Sequence, residues 1–294
     1  MKNKTITICG GTHGNELSGV YAVNHWLRND GAIRKLIPSA ELAFLLVNQA
    51  SIKARTRFID EDLNRQFVLN KLQENQGSTS LNCETALAQQ LNQQLGPKSA
   101  PKTDFIIDIH NTTSAMGPTL IVLESDAFNR NLARYVKTNM PSANILVEDH
   151  IPYLQHPYFC TVGKRSVMVE VGPQAQGALR AKVFQETVEM TEHILAYIES
   201  VNTHGIKELS AIQAFRLLAE VPYPVDTNGQ RSAMIHPDLD ANDFSELING
   251  APCFIDFHGN DIAWQGDTIY PHFIGEAAYD KQGLAFASAT VCEF

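Results

Sequence analysis

Apolar and polar positions divide the first two thirds of the chain into alternating strands and helices. Short apolar runs, each ended by turn or polar residues, predict β-strands at 5–9, 41–47, 104–109 and 166–171. The spacing of apolar residues predicts a helix that begins at Leu17 and stops near Gly31, a second helix at 81–95 and a third along a stripe formed by Phe184, Val188, Thr191, Leu195 and Ile198. This alternation predicts an α/β fold in which helices cover both sides of a mostly parallel or mixed sheet.

The pattern changes after residue 204. Short β-like runs follow, separated by the turn pairs Asn228-Gly229, Asn249-Gly250 and Gly259-Asn260. We therefore predict two domains, an α/β domain at 1–204 and a smaller β-rich domain at 205–294. A surface loop is predicted at 75–80, where glycine and polar residues cluster.

The net charge limits the kinds of partner. The 294 residues include 23 lysines and arginines against 32 aspartates and glutamates, which gives a formal net charge of −9. A negative field of this kind repels nucleic acid and anionic membrane surfaces, so neither is predicted as a partner. An anionic ligand would have to be held by local cations.

Cysteine usage and the length of apolar runs indicate the cellular compartment. The five cysteines are widely scattered and form no CxxC pair, which is typical of a reducing compartment. The N-terminal apolar stretch is too short for a signal peptide, and no apolar run approaches membrane-spanning length. We expect a cytoplasmic protein.

Polar residues that directly follow predicted strands are the first candidates for a site, because ligands of open α/β sheets bind beyond the carboxyl ends of the strands. His13 and Glu16 are three residues apart at a helix start, where one turn brings both side chains to one side. His110 follows the third strand and can supply a third ligand. Two histidines and one carboxylate are a common catalytic zinc set, with an open fourth position for water.

Other interpretations of these residues stay open. An HxxE spacing often arises by chance, and a histidine at a strand end is usually a hydrogen-bonded structural residue. The glycines at 10, 11 and 14 could form a nucleotide loop, but they match neither the dinucleotide-binding nor the phosphate-loop spacing. The combination at two strand ends favours metal binding.

Two further features suit catalysis. Glu170 lies in an otherwise apolar strand, where an unpaired carboxylate is costly, so it is either a general base beside a metal or part of a buried salt bridge with an arginine. Arg57, Asn64 and Arg65 lie in a polar segment at 51–66. Clustered arginines usually form a solvated face, but in an acidic protein they also suit a substrate that carries a carboxylate.

Six motifs together resemble a known family. They are GGTHGNEL at 10–17, IDEDLNR at 59–65, DIHNTT at 108–113, EVGPQAQG at 170–177, IHP at 235–237 and EAAY at 276–279. On these motifs the chain resembles the aspartoacylase branch of the aspartoacylase and succinylglutamate desuccinylase family, which shares the zinc carboxypeptidase fold. The resemblance implies a carboxypeptidase-like catalytic domain and a β-rich C-terminal domain that shapes the active-site entrance.

The resemblance also implies a catalytic apparatus. His13, Glu16 and His110 would hold one zinc ion per chain. Glu170 would activate the water and shuttle its proton, and Arg57 would polarise the scissile carbonyl and stabilise the oxyanion.

Substrate recognition follows from the same resemblance. Asn64, Arg65 and Tyr279 would bind the α-carboxylate of a small anionic N-acyl amino acid, and the C-terminal domain would cover the cleft and exclude long peptides. The expected reaction is hydrolysis of an N-acyl amino acid, with N-acetyl-L-aspartate, which yields acetate and L-aspartate, as the first candidate.

One departure from the family pattern concerns substrate choice. The family arginine that holds the substrate's side-chain carboxylate has Cys160 as its ungapped equivalent here. Lys164 or Arg165 could take its place, and Tyr158 is the nearest candidate for a tyrosine expected just before that arginine.

Three alternatives to the aspartate substrate or to this activity therefore stay open. The first is a deacylase for other N-acyl amino acids, aromatic or N-succinyl, and the second is a non-catalytic metal- or metabolite-binding protein. A peptidase is the third, which Tyr279 and the added domain disfavour. The sequence is compatible with a homo-oligomer but does not determine the oligomeric state.

Overall fold

The structure, a computed structural model, describes residues 2–73 and 81–294, so the surface loop predicted at 75–80 lies outside the described residues. Its strands are β1 (Thr5–Gly10), β2 (Glu41–Leu46), β3 (Phe105–Asn111), β4 (Gly117–Val122), β5 (Asn144–Val147), β6 (Arg165–Gly172), β7 (Gln213–Pro222), β8 (Ala233–Ile235), β9 (Pro252–Asp256), β10 (Asp261–Ala263), β11 (Tyr270–His272) and β12 (Leu284–Glu293).

Its α-helices are α1 (Leu17–Arg28), α2 (Gly31–Arg34), α3 (Gln49–Ala54), α4 (Leu69–Gln73), α5 (Cys83–Leu95), α6 (Ala127–Asn139) and α7 (Ala181–His204). Short 3-10 helices span Leu63–Arg65, Tyr153–Gln155, Phe159–Val162 and Ala277–Gln282. Among the described residues, no helix is both long and apolar enough to cross a membrane.

Within the described ranges, nine strands form one mixed sheet in the order β11-β12-β7-β5-β4-β6-β3-β1-β2. Strands β2, β1, β3 and β6 are parallel, and β4 runs antiparallel to β6. Strands β8, β9 and β10 form a separate three-stranded antiparallel sheet. The C-terminal strands β7, β12 and β11 therefore extend the central sheet, while β8–β10 lie outside it.

Helices pack against both faces of the central sheet. On one face, alternate strand residues such as Ile8 and Val169 pack with Trp26 of α1, Leu132 of α6 and Ile194 of α7. On the other face, a second buried cluster joins the remaining strand residues to α5 and the 3-10 helices. Successive side chains of a strand point to opposite faces of the sheet, so strands that are covered on both faces are apolar at successive positions.

The predicted α/β architecture with a β-rich C-terminal part is confirmed. The four predicted strands and the helix predicted at 81–95 have ends within two residues of the prediction, whereas α1 ends three residues before Gly31 and α7 extends beyond the predicted stripe at both ends. Three residues of the predicted α7 stripe, Thr191, Leu195 and Ile198, are buried, whereas Phe184 and Val188 are only partly buried. The buried face is wider than predicted, because Val183, Met190 and Ile194 belong to it as well. Residues 117–147 form β4, α6 and β5, none of which was predicted from the sequence.

Close backbone contacts explain why glycine occupies position 10 at the end of β1 and position 19 in α1. A Cβ atom on Gly10, at the end of β1, would lie 2.3 Å from the carbonyl oxygen of Gly19 in α1. A Cβ atom on Gly19 would in turn lie 2.9 Å from the carbonyl oxygen of Ile109 in β3. Strand β1, helix α1 and strand β3 therefore approach more closely than any side chain permits, which fixes the turn between β1 and α1.

We expect Gly10→Ala to lower the free energy of unfolding by about 3 kcal/mol, because a backbone atom would have to move to admit the methyl group. Urea unfolding followed by circular dichroism measures the change. Gly31→Ala in α2 is the matched control, because no heavy atom lies within 4 Å of its Cβ position. Equal unfolding midpoints for Gly10→Ala and wild type would contradict the packing argument.

Candidate active site

A cavity of about 550 Å³ lies beyond the carboxyl ends of β1, β3 and β6. Side chains from the C-terminal part of the chain, Phe273, Glu276 and Tyr279, form part of its wall. Of the residues predicted from the sequence, those that line it are His13, Glu16, Arg57, Asn64, Arg65, His110, Tyr158, Glu170 and Tyr279.

The register of the sheet brings these residues together. Strand β3 lies between β1 and β6, and Gly10 of β1 pairs with Ile109 of β3. The loop that carries His13 therefore begins beside the end of β3. His110 pairs with Glu170 of β6, and paired residues of neighbouring strands project to the same face of a sheet.

The three predicted metal ligands converge on one point. His13 Nδ1 lies 2.7 Å from Glu16 Oε1, and His110 Nδ1 lies 3.0 Å from Glu16 Oε2. The two Nδ1 atoms are 3.2 Å apart, and all three side chains are buried. One ligand atom from each residue lies within 4.8 Å of the other two. This arrangement could hold a metal ion.

Two aspartates orient the histidine rings. Asp62 Oδ1 lies 2.9 Å from His13 Nε2, and Asp108 Oδ2 lies 2.9 Å from His110 Nε2. Because a carboxylate only accepts hydrogen bonds, both Nε2 atoms carry a proton and the Nδ1 atoms face each other as acceptors. Facing acceptors beside the Glu16 carboxylate repel one another unless a cation lies between them, so the donor set fits a divalent metal ion.

Arg57 is held rigidly beside this cluster. Its guanidinium donates to Glu16 Oε1 at 2.9 Å and to Asp62 Oδ2 at 3.1 and 3.2 Å. Burial opposes the charged form, but Glu16 and Asp62 outweigh it and raise the pKa of Arg57. A permanent positive charge therefore faces the cavity next to the metal ligands.

Glu170 borders the same cavity and is partly exposed to it. Burial raises the pKa of Glu170 well above its ordinary value; His110 and Arg57 oppose this rise, whereas Glu16 and Glu276 add to it. Among residues 2–73 and 81–294, no lysine or arginine nitrogen lies within 4.0 Å of its carboxylate. The alternative of a buried salt bridge is therefore wrong, and Glu170 is available as a proton acceptor.

The predicted substrate-binding residues lie beside this cluster. Asn64 Oδ1 accepts a 2.7 Å hydrogen bond from the Phe159 backbone, which leaves the Asn64 amide nitrogen for a ligand. Arg65 lies over the ring of Tyr158 at 5.5 Å. In the described part of the chain, Arg65 forms no ion pair, so its charge is free for an anion. Tyr279 lines the cavity from the 3-10 helix at Ala277–Gln282.

Glu276 attaches the C-terminal wall to the end of β3. Its Oε2 accepts hydrogen bonds from Thr112 Oγ1, from the Thr113 backbone at 2.7 Å and from Thr113 Oγ1 at 3.0 Å. Its Oε1 accepts from the Ala278 backbone at 2.9 Å. These bonds set the position of the helix that carries Tyr279.

The structure separates Arg165 from the cavity and so contradicts its prediction as a substrate ligand. Arg165 is at the amino end of β6, about 17 Å along the strand from Glu170, and it pairs with Asp126 at 2.9 Å. Lys164 pairs with Asp104 at 2.5 Å, so it is engaged elsewhere too. Cys160 is fully buried and does not line the cavity.

Comparisons with known proteins identify the family of the chain. A family model described as "Succinylglutamate desuccinylase/Aspartoacylase catalytic domain" matches residues 2–198, and one described as "AstE/AspA barrel-sandwich hybrid domain" matches residues 210–291. The chain belongs to the succinylglutamate desuccinylase/aspartoacylase family. This membership confirms the resemblance found in the motifs and makes the chain a hydrolytic enzyme of that family.

Individual relatives cover nearly the whole chain. The chain is 40% identical to the aspartoacylase of Xenopus tropicalis, across 98% of this chain and 93% of that protein. It is 37% identical to the N-acyl-aromatic-L-amino acid amidohydrolase (carboxylate-forming) of Rattus norvegicus, across 96% and 88%. The crystal structure of murine aminoacylase 3 superposes with a TM-score of 0.93 at 33% identity, across 100% and 97%.

Several cavity residues of this family member were not predicted. Thr112 lies in the motif DIHNTT at 108–113, and Glu276 begins the motif EAAY at 276–279. Their positions in these motifs could have identified both as candidate site residues. Glu148 follows a strand of four residues that the pattern did not identify.

A buried lysine joins the segment that carries Asn64 and Arg65 to the segment that carries Tyr158. Lys98 is 1% exposed, and its Nζ donates to the carbonyl oxygens of Phe67 at 2.7 Å and His156 at 2.6 Å. Phe67 follows the 3-10 helix of Asn64 and Arg65, and His156 precedes Tyr158. Burial lowers the pKa of Lys98 to about 8.

We expect Lys98→Met to lower the free energy of unfolding by about 2 kcal/mol, because two buried carbonyl oxygens lose their donor. Denaturant titration gives the value. Lys182→Met is the matched control, since that side chain is 86% exposed on α7. A stability equal to wild type in both variants would show that these carbonyls do not depend on Lys98.

Proposed function

We propose that the chain is a zinc-dependent amidohydrolase that removes the acyl group from N-acyl amino acids. The observation that carries the proposal is the meeting of a His-Glu-His donor set, an unpaired Glu170 and an unpaired Arg65 in one cavity. Membership of the family and relatives named for such reactions support it.

Zinc is the metal proposed for His13, Glu16 and His110. Two imidazole nitrogens and one carboxylate are a usual set for catalytic zinc, and Asp62 and Asp108 provide the outer hydrogen bonds that such histidines need. When bound, zinc supplies a Lewis acid for the substrate carbonyl and lowers the pKa of water.

Proton transfer is assigned to Glu170. Its carboxylate takes a proton from the attacking water and returns it to the amide nitrogen as the C–N bond breaks. Burial raises the pKa of Glu170, which favours uptake of the proton from water. Arg57 stabilises the negative charge that develops on the carbonyl oxygen, an effect that typically contributes about 3 kcal/mol.

Substrate binding is assigned to the residues that line the cavity beside the metal-ligand cluster. Arg65 would form a bidentate pair with the α-carboxylate, with added hydrogen bonds from the Asn64 amide and the Tyr279 hydroxyl. Tyr158 lies beneath Arg65 and limits its movement. The negative charge of a free α-carboxylate on the substrate would complement the positive charge of Arg65, which has no ion-pair partner in the described residues.

Two substrate groups are candidates. N-acetyl-L-aspartate follows from the aspartoacylase resemblance and from relatives with that name. Uncharged N-acyl amino acids, including aromatic ones, follow from the apolar lining residues Ile121, Met168 and Phe273 and from the aromatic-specific relative.

Two further proposals concern the molecule as a whole. We propose the domain division at 1–204 and 205–294, which the limits of the two family matches support. A cytoplasmic location is proposed because all five cysteines are free thiols.

Chelation tests the metal assignment. We expect release of free amino acid from N-acetyl substrates to fall to background after dialysis against a chelator and to return with one equivalent of zinc. Magnesium is the control addition, because this nitrogen-rich donor set suits zinc and not magnesium. Full activity in protein shown to be metal-free would contradict the proposal.

Substitution of the base tests the catalytic assignment. We expect Glu170→Gln to reduce kcat by about 10²- to 10⁴-fold while the protein still binds one zinc ion, because glutamine keeps the shape but cannot accept the proton. Steady-state kinetics and metal analysis give both values, with Glu192→Gln on the exposed face of α7 as control. Equal rates in both variants would favour a binding protein over an enzyme.

A further inference from the structure

The cavity becomes apolar away from the metal donors. Ile121 of β4 and Met168 of β6 are paired across the two strands, and both line the cavity. Met168 is two residues before Glu170, so the two side chains project to the same face of the sheet. A substrate held beside Glu170 therefore extends its remaining atoms over an apolar floor.

This floor ends at a carboxylate. Glu148 directly follows β5, and its backbone nitrogen donates to the Val122 carbonyl oxygen at 2.8 Å, which continues the pairing of β5 with β4. Glu148 is 5% exposed and lines the same cavity. The Tyr158 hydroxyl donates to Glu148 Oε2 at 3.0 Å, and this bond fixes the direction of the carboxylate.

No cation of the described residues forms a direct ion pair with Glu148, and the charges of Arg65 and His150 act on it only from a longer distance. Across residues 2–73 and 81–294, no lysine, arginine or histidine nitrogen lies within 4.0 Å of its carboxylate. Among the lysines and arginines of the described residues, only Arg57 and Arg65 line the cavity. Arg57 is bound to Glu16 and Asp62, so Arg65 is the single cation left for an anionic ligand.

We propose that Glu148 determines the specificity of the cavity for the amino acid side chain. It selects N-acyl amino acids with an uncharged side chain that donates an N–H or O–H hydrogen bond, such as glutamine or tyrosine, and excludes acidic ones. This inference rests on the proposed function, in which Arg65 binds the α-carboxylate and leaves no cation for a second carboxylate.

The physical reason is the cost of placing two carboxylates together in a buried place. Like charges at short range cannot both stay ionised, so either an acidic side chain or Glu148 must take up a proton before the two can lie together. An amide or hydroxyl instead donates to Glu148 with no change in charge. The apolar floor of Ile121 and Met168 accommodates the apolar stem of either side chain. The polar group at the end of the side chain therefore determines which substrate binds.

The test compares N-acetyl-L-glutamine with N-acetyl-L-glutamate, which have nearly the same shape and differ in charge. We expect kcat/KM of the zinc-loaded wild type to be about tenfold or more higher for the glutamine substrate. Glu148→Gln keeps the volume and the acceptor for Tyr158, and we expect it to reduce this ratio at least tenfold, mainly through faster hydrolysis of the glutamate substrate. Glu148→Asp, which keeps the charge, is the matched control and is expected to retain the preference.

Two results would overturn the inference. One is a wild-type preference for the glutamate substrate, and the other is an unchanged ratio in Glu148→Gln. If no N-acyl amino acid is hydrolysed at all, the proposed function fails, and calorimetric titration with L-glutamine and L-glutamate then tests Glu148 separately. Tighter binding of L-glutamine, lost in Glu148→Gln, would support the inference, and equal binding of both amino acids would overturn it.

Discussion

The chemistry of the cavity depends on the register of three parallel strands. Strand β3 holds His110 level with Glu170 of β6 and with the end of β1. A slip of one residue in β6 would turn Glu170 to the opposite face and bring Val169 or Val171 to the cavity. Burial prevents this slip, because both valines pack in the apolar layer beneath the helices. The core that stabilises the fold therefore also aligns the proposed catalytic groups.

Charge balance is the second constraint on the site. Glu16 lies 2.7 and 3.0 Å from the Nδ1 atoms of the two ligand histidines and accepts from Arg57, and Asp62 joins His13 to the same arginine. Buried charges are tolerated when each has a partner, and this network leaves the ligand nitrogens aimed at one point. The site is thus organised by the protein before a substrate arrives, which is the condition under which electrostatic stabilisation costs no rearrangement.

The C-terminal part of the chain belongs to the cavity as well as to its own sheet. Strand β7 continues the central sheet beside β5, and Glu276 binds the residues that follow β3. Asp243 strengthens the same contact, since it accepts from the backbone nitrogens of Ala115 at 3.0 Å and Ile274 at 3.2 Å. Tyr279 and Phe273 are consequently held against the α/β part, where they form part of the cavity wall.

Local patterns determined much of this protein. Apolar runs and helical spacing were sufficient for the main strands and helices, and His13, Glu16, His110 and Glu170 were found because each follows or ends a strand in a motif. Arg165 was wrong because an extended strand carries it about 17 Å from Glu170, a distance that strand geometry alone implies. The pairing of β4 with β6 and β5, by contrast, joins residues far apart in sequence, and no local signal reports it. Only the tertiary structure could therefore bring Glu148 and Ile121 into the cavity, because strand order is set by packing across the whole sheet.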